Sequence, residues 1–172
     1  LTPDQPVTLR WNNGAGLTFE RQIAVDEHFM FTVTTTVKNQ SHTPVTLYPY
    51  GLISRVHAEQ KRTQVFMHEG PLGVINEVLE DISYKDLREE GSKRFEHAKG
   101  WIGMTDKYWL TAIVPDKDQS FTADYTHFTR NDKPGYQADM RGDAVTVAPG
   151  AQETTTVRVF AGAKEVKRLD DY

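Results

Sequence analysis

Phe29-Met30-Phe31-Thr32-Val33-Thr34-Thr35-Thr36-Val37-Lys38 alternates with a period of two, Phe29, Phe31, Val33, Thr35 and Val37 falling on one side of the chain. That spacing is a pleated strand with one face in a core. Working outward, β-branched and aromatic runs recur at Val7 to Trp11, Leu17 to Val25 and Val45 to Tyr48. They are punctuated by Asn12-Asn13-Gly14, by Asp26-Glu27 and by the polar stretch from Asn39 to Pro44. Such turn chemistry between strand-like runs predicts hairpins. Further strands are expected at Leu52 to Val56, Val74 to Leu79, Lys107 to Val114, Phe121 to Phe128, Tyr136 to Met140, Ala144 to Val147 and Thr154 to Phe160. About ten short strands with turns between them indicate an all-β, antiparallel sandwich.

Two stretches depart from the alternation. Residues from Asp81 to Lys99 are dense in mixed charge and carry no long apolar period, which predicts an exposed excursion with one helical turn. From Ala163 to Tyr172, Val166, Leu169 and Tyr172 recur every third residue among Lys, Arg, Glu and Asp. That spacing predicts a short amphipathic helix following a sandwich over residues 1–162.

Composition excludes several classes of function. A chain of 172 residues fits one domain that buries roughly 68–70% of its unfolded surface. Twenty Lys and Arg against 24 Asp and Glu leave a net charge of -4, with no basic face for phosphates, so nucleic acid is not an expected partner. With no cysteine there are no disulfides, thiolate metal sites or thiol nucleophiles. No apolar run reaches the roughly 20 residues of a membrane-spanning helix. The chain opens on Leu1, which is read here as the start of an excised or processed piece.

Motifs for chemistry are weak. The six histidines stand singly, without the short spacings that put paired ligands on one face, so no metal site is expected. His68 beside Glu69 and His97 beside Glu96 are candidate acid–base pairs only if folding brings them into a cleft. No serine sits in a Gly-x-Ser-x-Gly elbow. Gly14-Ala15-Gly16 and Gly70-Pro71-Leu72-Gly73 read as turns, since neither opens a helix after a strand. Arg141-Gly142-Asp143 matches a cell-adhesion tripeptide but also an ordinary hairpin turn, and Asn39-Gln40-Ser41 matches a glycosylation sequon but also a polar turn. Trp11, Trp101 and Trp109 offer faces for sugar stacking, although their strand positions favour core packing. No catalytic or cofactor-binding residue is assigned.

The segment Gly100-Trp101-Ile102-Gly103-Met104-Thr105-Asp106-Lys107-Tyr108-Trp109-Leu110-Thr111-Ala112-Ile113-Val114-Pro115 carries more information than its periodicity. As local structure it reads as a Gly-Trp turn entering a strand that ends at proline. As a pattern it resembles a signature of the large periplasmic domain of YidC-type membrane protein insertases. Leu17 to Arg21 followed by Phe29 to Asn39, Val147-Ala148-Pro149-Gly150 before Thr154 to Phe160, and Phe160-Ala161-Gly162-Ala163-Lys164 agree with that family in the same order.

The resemblance implies a mutarotase-like β-supersandwich whose first strands lie upstream of Leu1, leaving exposed edges here. It also implies a non-catalytic domain on the periplasmic side of the bacterial inner membrane, tethered by transmembrane helices of the same polypeptide. The implied partners are that transmembrane insertase domain, client membrane proteins, and a Sec translocon accessory subunit contacted through the region Val45 to Glu90. Val166, Leu169 and Tyr172 would face the membrane domain or cap the sandwich. The rival reading from the same fold is a carbohydrate-binding or mutarotase-like enzyme built on the scattered His and Glu residues.

Overall fold

The structure is a computed structural model that describes residues 1–56 and 68–164. Strands β1 (Val7–Asn12), β2 (Leu17–Val25), β3 (Met30–Asn39), β4 (Val45–Leu47) and β5 (Tyr50–Val56) come first. They are followed by β6 (Gly70–Ile75), β7 (Val78–Asp81), the helix α1 (Tyr84–Glu90), β8 (Ser92–Ala98) and β9 (Gly100–Thr105). The chain closes with β10 (Trp109–Val114), β11 (Phe121–Arg130), β12 (Lys133–Gly142), β13 (Val145–Val147) and β14 (Gln152–Ala163). All pairings are antiparallel, as the alternation predicts. An eight-stranded sheet runs β1-β2-β3-β14-β10-β9-β6-β7, a four-stranded sheet runs β5-β12-β11-β8, and β13 pairs with β4.

The main core lies between the four-stranded sheet and the β10-β9-β6 side of the large one. Phe121, Ala123 and Tyr125 from β11 and Tyr136, Ala138 and Met140 from β12 alternate inward to meet Ile102, Met104 and Ile113. Leu110 and Ala112 point the other way and join Met30, Leu72 and Phe160 in a second cluster. β10 is thus apolar on both faces, which is why its sequence is a nearly continuous hydrophobic run. β2 and β3 are only half-buried along most of their length, because the smaller sheet does not extend over them.

The two sheets are tied together at Gly73. The Tyr125 hydroxyl crosses the core to donate to the Leu72 carbonyl at 3.0 Å. A Cβ at Gly73 would stand 2.5 Å from that hydroxyl and 2.6 Å from the Trp101 carbonyl, so only glycine leaves room.

Several expectations are corrected. Gly70-Pro71-Leu72-Gly73 is part of strand β6 and is largely buried. The run 74–79 is two strands joined at Asn76-Glu77, both with positive φ, the conformation of a tight primed hairpin. The charged stretch 81–99 is no exposed excursion: Ser83 caps α1 by accepting from Asp86 N at 3.0 Å, Leu87 is fully buried, and β8 forms the edge of the smaller sheet. An edge strand needs one apolar face, and its charges shield the open side. The Gly100–Pro115 segment is a hairpin, β9 and β10, folded at Asp106 to Tyr108, where Asp106 N donates to Trp109 O at 2.8 Å. The β11–β12 hairpin turns at Asn131-Asp132, both at positive φ, while Gly142 ends β12 opposite Phe121, so Arg141-Gly142-Asp143 is a strand end and not a hairpin turn. Asn39 is buried, which removes it as a glycosylation acceptor. Trp11 and Trp109 are exposed, not core.

Gly73→Ala should lower unfolding stability by about 1–3 kcal/mol, since the new methyl must displace Tyr125 from Leu72. Urea denaturation checks this, and an unchanged midpoint would show that the sheets tolerate separation there.

Candidate functional site: an open apolar trough

Where the smaller sheet stops short, the inner face of the large sheet is left as the floor of a trough of about 710 Å³. Phe19, Val33, Val37, Val157 and Val159 line the floor, and Leu47, Pro49, Tyr50 and Leu52 form a wall. Register explains the floor: Val33 sits opposite Ile23 and Val157, and Phe19 opposite Val37, so one face of three strands is apolar. The alternate face is polar, with hydroxyl pairs Thr34–Thr156 at 3.3 Å and Thr36–Thr154 at 2.9 Å facing solvent. The exposed Val7, Leu9 and Trp11 of β1 lie opposite Ile23, Arg21 and Phe19 and continue the apolar floor outward.

Two polar devices hold the wall. Asn39 Nδ2 donates to the carbonyls of Thr43 at 2.8 Å and Val147 at 2.9 Å, tying the end of β3 to the β4–β13 pair. Tyr50 donates its hydroxyl to Asp139 Oδ1 at 2.6 Å, and Gln137 Nε2 donates to the same carboxylate, so β5 is fixed to β12 across its outer face. Desolvation, then the hydrogen bond to Asp139, pushes the Tyr50 pKa up to about 12. Among the described residues β5 pairs only with β12, and Tyr50 and Leu52 are exposed.

The trough's charged side chains are Arg21, whose Nε donates to Thr35 at 3.2 Å, and Glu153. That is an apolar binding surface without a nucleophile and base in partnership. A smaller polar cleft of about 260 Å³ gathers Glu96, His97, Ser120, Arg141 and Asp143, so it unites two of the sequence motifs. There Ser120 Oγ donates directly to Asp143 Oδ2 at 3.1 Å, the carboxylate a catalytic triad would reserve for histidine, and Arg141 lies over the Tyr48 ring at 5.7 Å. His68 is bound to the Pro71 carbonyl at 3.0 Å, a structural role. Among the described residues, no three His, Cys, Asp or Glu side chains are grouped to hold a metal. Val166, Leu169, Tyr172 and His57 lie outside the described residues.

The trough escaped sequence reading because its lining comes from seven strands far apart in the chain. Its one local signal is the run Leu47-Tyr48-Pro49-Tyr50, apolar and proline-broken.

The sequence model of the family described as the YidC periplasmic domain matches residues 1–172. The chain is 44% identical, over its whole length, to a membrane protein insertase YidC of Methylorubrum extorquens, and 45% identical to the one from Beijerinckia indica. It spans 30% and 29% of those proteins. In fold it is similar to a galactose mutarotase related enzyme from Lactobacillus acidophilus, with a TM-score of 0.61 at 10% identity over 93% of this chain and 70% of that one. A second likeness is the Slr1438 protein of Synechocystis, with a TM-score of 0.57 at 8% identity over 92% of this chain and 61% of that one. The first of these likenesses places the fold among mutarotase-like sandwiches.

Two outcomes follow from the wall. Asn39→Ala strands two carbonyls and should cost roughly 1–3 kcal/mol in urea unfolding. Tyr50 ionises at its ordinary 10.0 when unfolded but near 12 when folded, so its contribution is complete below pH 10 and is lost as pH rises toward 12. Tyr50→Phe should therefore show a shallower alkaline loss of stability than the parent across that window, and parallel curves would exclude the linkage.

Proposed function

Because this chain belongs to the YidC periplasmic domain family, we propose that it is a non-catalytic interaction and scaffold domain of a bacterial inner-membrane protein insertase, assisting insertion and folding of membrane proteins alone or with the Sec translocon. The half-covered large sheet carries this reading. A sandwich that leaves an apolar trough beside β5, which has one strand neighbour among the described residues, is shaped to pack against more chain, and its relatives are about three times as long. We read the trough as the seat of further strands of the same polypeptide, pairing along β5. Transmembrane segments elsewhere in that polypeptide tether the domain, with the residues at Val166, Leu169 and Tyr172 leading toward the membrane domain.

Partner contact falls to the outer surface within residues 45–90. There α1 presents Lys85 and Glu89 outward as an i,i+4 ion pair at 3.7 Å, while Leu87 anchors the helix to the core. A catalytic reading finds less support: the polar cleft commits its aspartate to Ser120, and the trough is lined by valine and threonine around a lone Arg21 and Glu153.

Photo-crosslinking side chains at Leu52, Lys85 and Glu89 of the full-length protein test this. Leu52 should link within the same polypeptide, and Lys85 or Glu89 to a translocon subunit or a nascent client. Absence of any such link from α1 and from neighbouring exposed positions would overturn the scaffold role.

A further inference from the structure

One end of the sandwich gathers aromatic side chains that packing does not require. Tyr108 and Trp109 are each 63% exposed and Phe29 is 54% exposed. Register brings them together across β14. The Phe29 carbonyl accepts from Ala161 N at 3.2 Å, Ala163 lies opposite Trp109, and Lys164 N donates to Tyr108 O at 2.8 Å.

Phe29 holds φ at 63°, a conformation that is strained for a bulky residue. The turn around it is fixed by Asp26 Oδ1, which accepts from His28 N at 2.8 Å and Met30 N at 2.9 Å. The strain is thus built in, and its effect is to present a phenyl ring to solvent.

Cations surround these rings. Lys107 Nζ stands 5.0 Å from the Tyr108 ring centre, and Lys164 Nζ donates to the His68 carbonyl at 3.0 Å. Asp106 in the same turn is paired with Arg55 at 2.7 Å, which places the end of β5 beside the aromatic turn. Gly135 lies opposite Val56, so the exposed Arg130 and Lys133 of the β11–β12 hairpin project past that same end. Against these stand Glu27, Glu69, which lies close enough to act on the Lys107 charge, and the Asp132 of the hairpin tip.

We propose that this end of the sandwich, with Phe29, Tyr108 and Trp109 at its tip, docks on the interface of an anionic lipid bilayer. Two observations select a bilayer over other occupants. Tyr and Trp with flanking lysines match the amphipathic chemistry of the headgroup layer, where the ring is buried and the polar edge stays wet. The last described residue, Lys164, is hydrogen-bonded to Tyr108, so residue 165 follows directly from this tip. The inference rests on the reading that the domain is tethered beside a membrane.

Vesicle co-sedimentation of the chain tests it, using vesicles of phosphatidylglycerol with phosphatidylethanolamine and, separately, of phosphatidylcholine. The unaltered chain should bind the anionic vesicles preferentially, and less as salt rises. Tyr108→Ala with Trp109→Ala should weaken partitioning about tenfold or more, and Lys107→Gln about fivefold. Val78→Ala, at an exposed apolar residue at the far end of β6 and β7, should leave it unchanged. Tyr108→Phe with Trp109→Phe should retain most of the binding, which separates docking from loss of fold, as does an unchanged circular dichroism spectrum.

Equal sedimentation with both vesicle types, no binding at all, or equal loss from Val78→Ala would overturn the proposal. So would concentration-dependent dimerisation abolished by the tip variant without vesicle binding, which would make a second copy the occupant. Crosslinks from Trp109 to a protein partner alone would do the same. Because this assay uses vesicles and no partner protein, its failure is distinguishable from a failure of the scaffold reading, which depends on crosslinks in the full-length insertase.

Discussion

The contact between Tyr125 and the Leu72 carbonyl sets how close the two sheets can come, and much of the structure follows from that distance. A phenol hydroxyl buried in a core must find an acceptor, and the acceptor here is a main-chain carbonyl within the ladder of the opposing sheet. Reaching it requires a gap in the side-chain layer, which Gly73 supplies. Gly103 meets a different demand within the large sheet, where a Cβ would press on the Thr111 carbonyl of the neighbouring strand β10. With the sheets locked over β6, β9 and β10, the smaller sheet has no material left to cover β2, β3 and β14. The trough is a consequence of where the sheets are pinned.

That geometry explains what could be read from sequence and what could not. The alternation at 29–38 identifies β3 because each residue sees only one environment, core side or solvent side. The same rule fails at β10, buried on both faces, and at β6, where Gly70, Pro71 and Gly73 mimic a turn. Gly73 serves close approach between sheets, a requirement set by Tyr125, more than fifty residues away, while Gly70, at φ 147°, makes room for the Ile82 carbonyl. Segment 81–99 misleads for the opposite reason. An edge strand and a short helix each bury few side chains, so the charged majority of the residues conceals Ile82, Leu87 and Ala98. The Asn39-Gln40-Ser41 turn was legible as polar, but the burial of Asn39 depends on Val147, which arrives from the other end of the chain.

The candidate site was less legible than the fold. Trough lining is valine and threonine, residues that any strand uses, and only the inter-strand register converts them into one apolar surface. Family resemblance located the domain without locating the trough. The polar cleft shows the converse: His97 and Arg141-Gly142-Asp143 looked separate in sequence, and a bulge in β8 opposite β11 brings them to one place. Proximity there did not create chemistry, because the hydrogen bond from Ser120 occupies the carboxylate.

The exposed apolar surface falls into two kinds, and their physical differences argue for different occupants. The trough is concave, is floored largely by β-branched side chains, and borders β5, which has one strand neighbour among the described residues, so its natural complement is another strand with backbone groups to pair. The Phe29, Tyr108 and Trp109 tip borders turns whose backbone bonds are made within the sheet ends. Rings with polar edges beside lysines gain little from a protein groove but much from a boundary between water and hydrocarbon, where each part of the side chain meets its preferred medium. The covering of the trough and the docking of the tip are therefore independent demands on one sheet, made on its inner face and at its end.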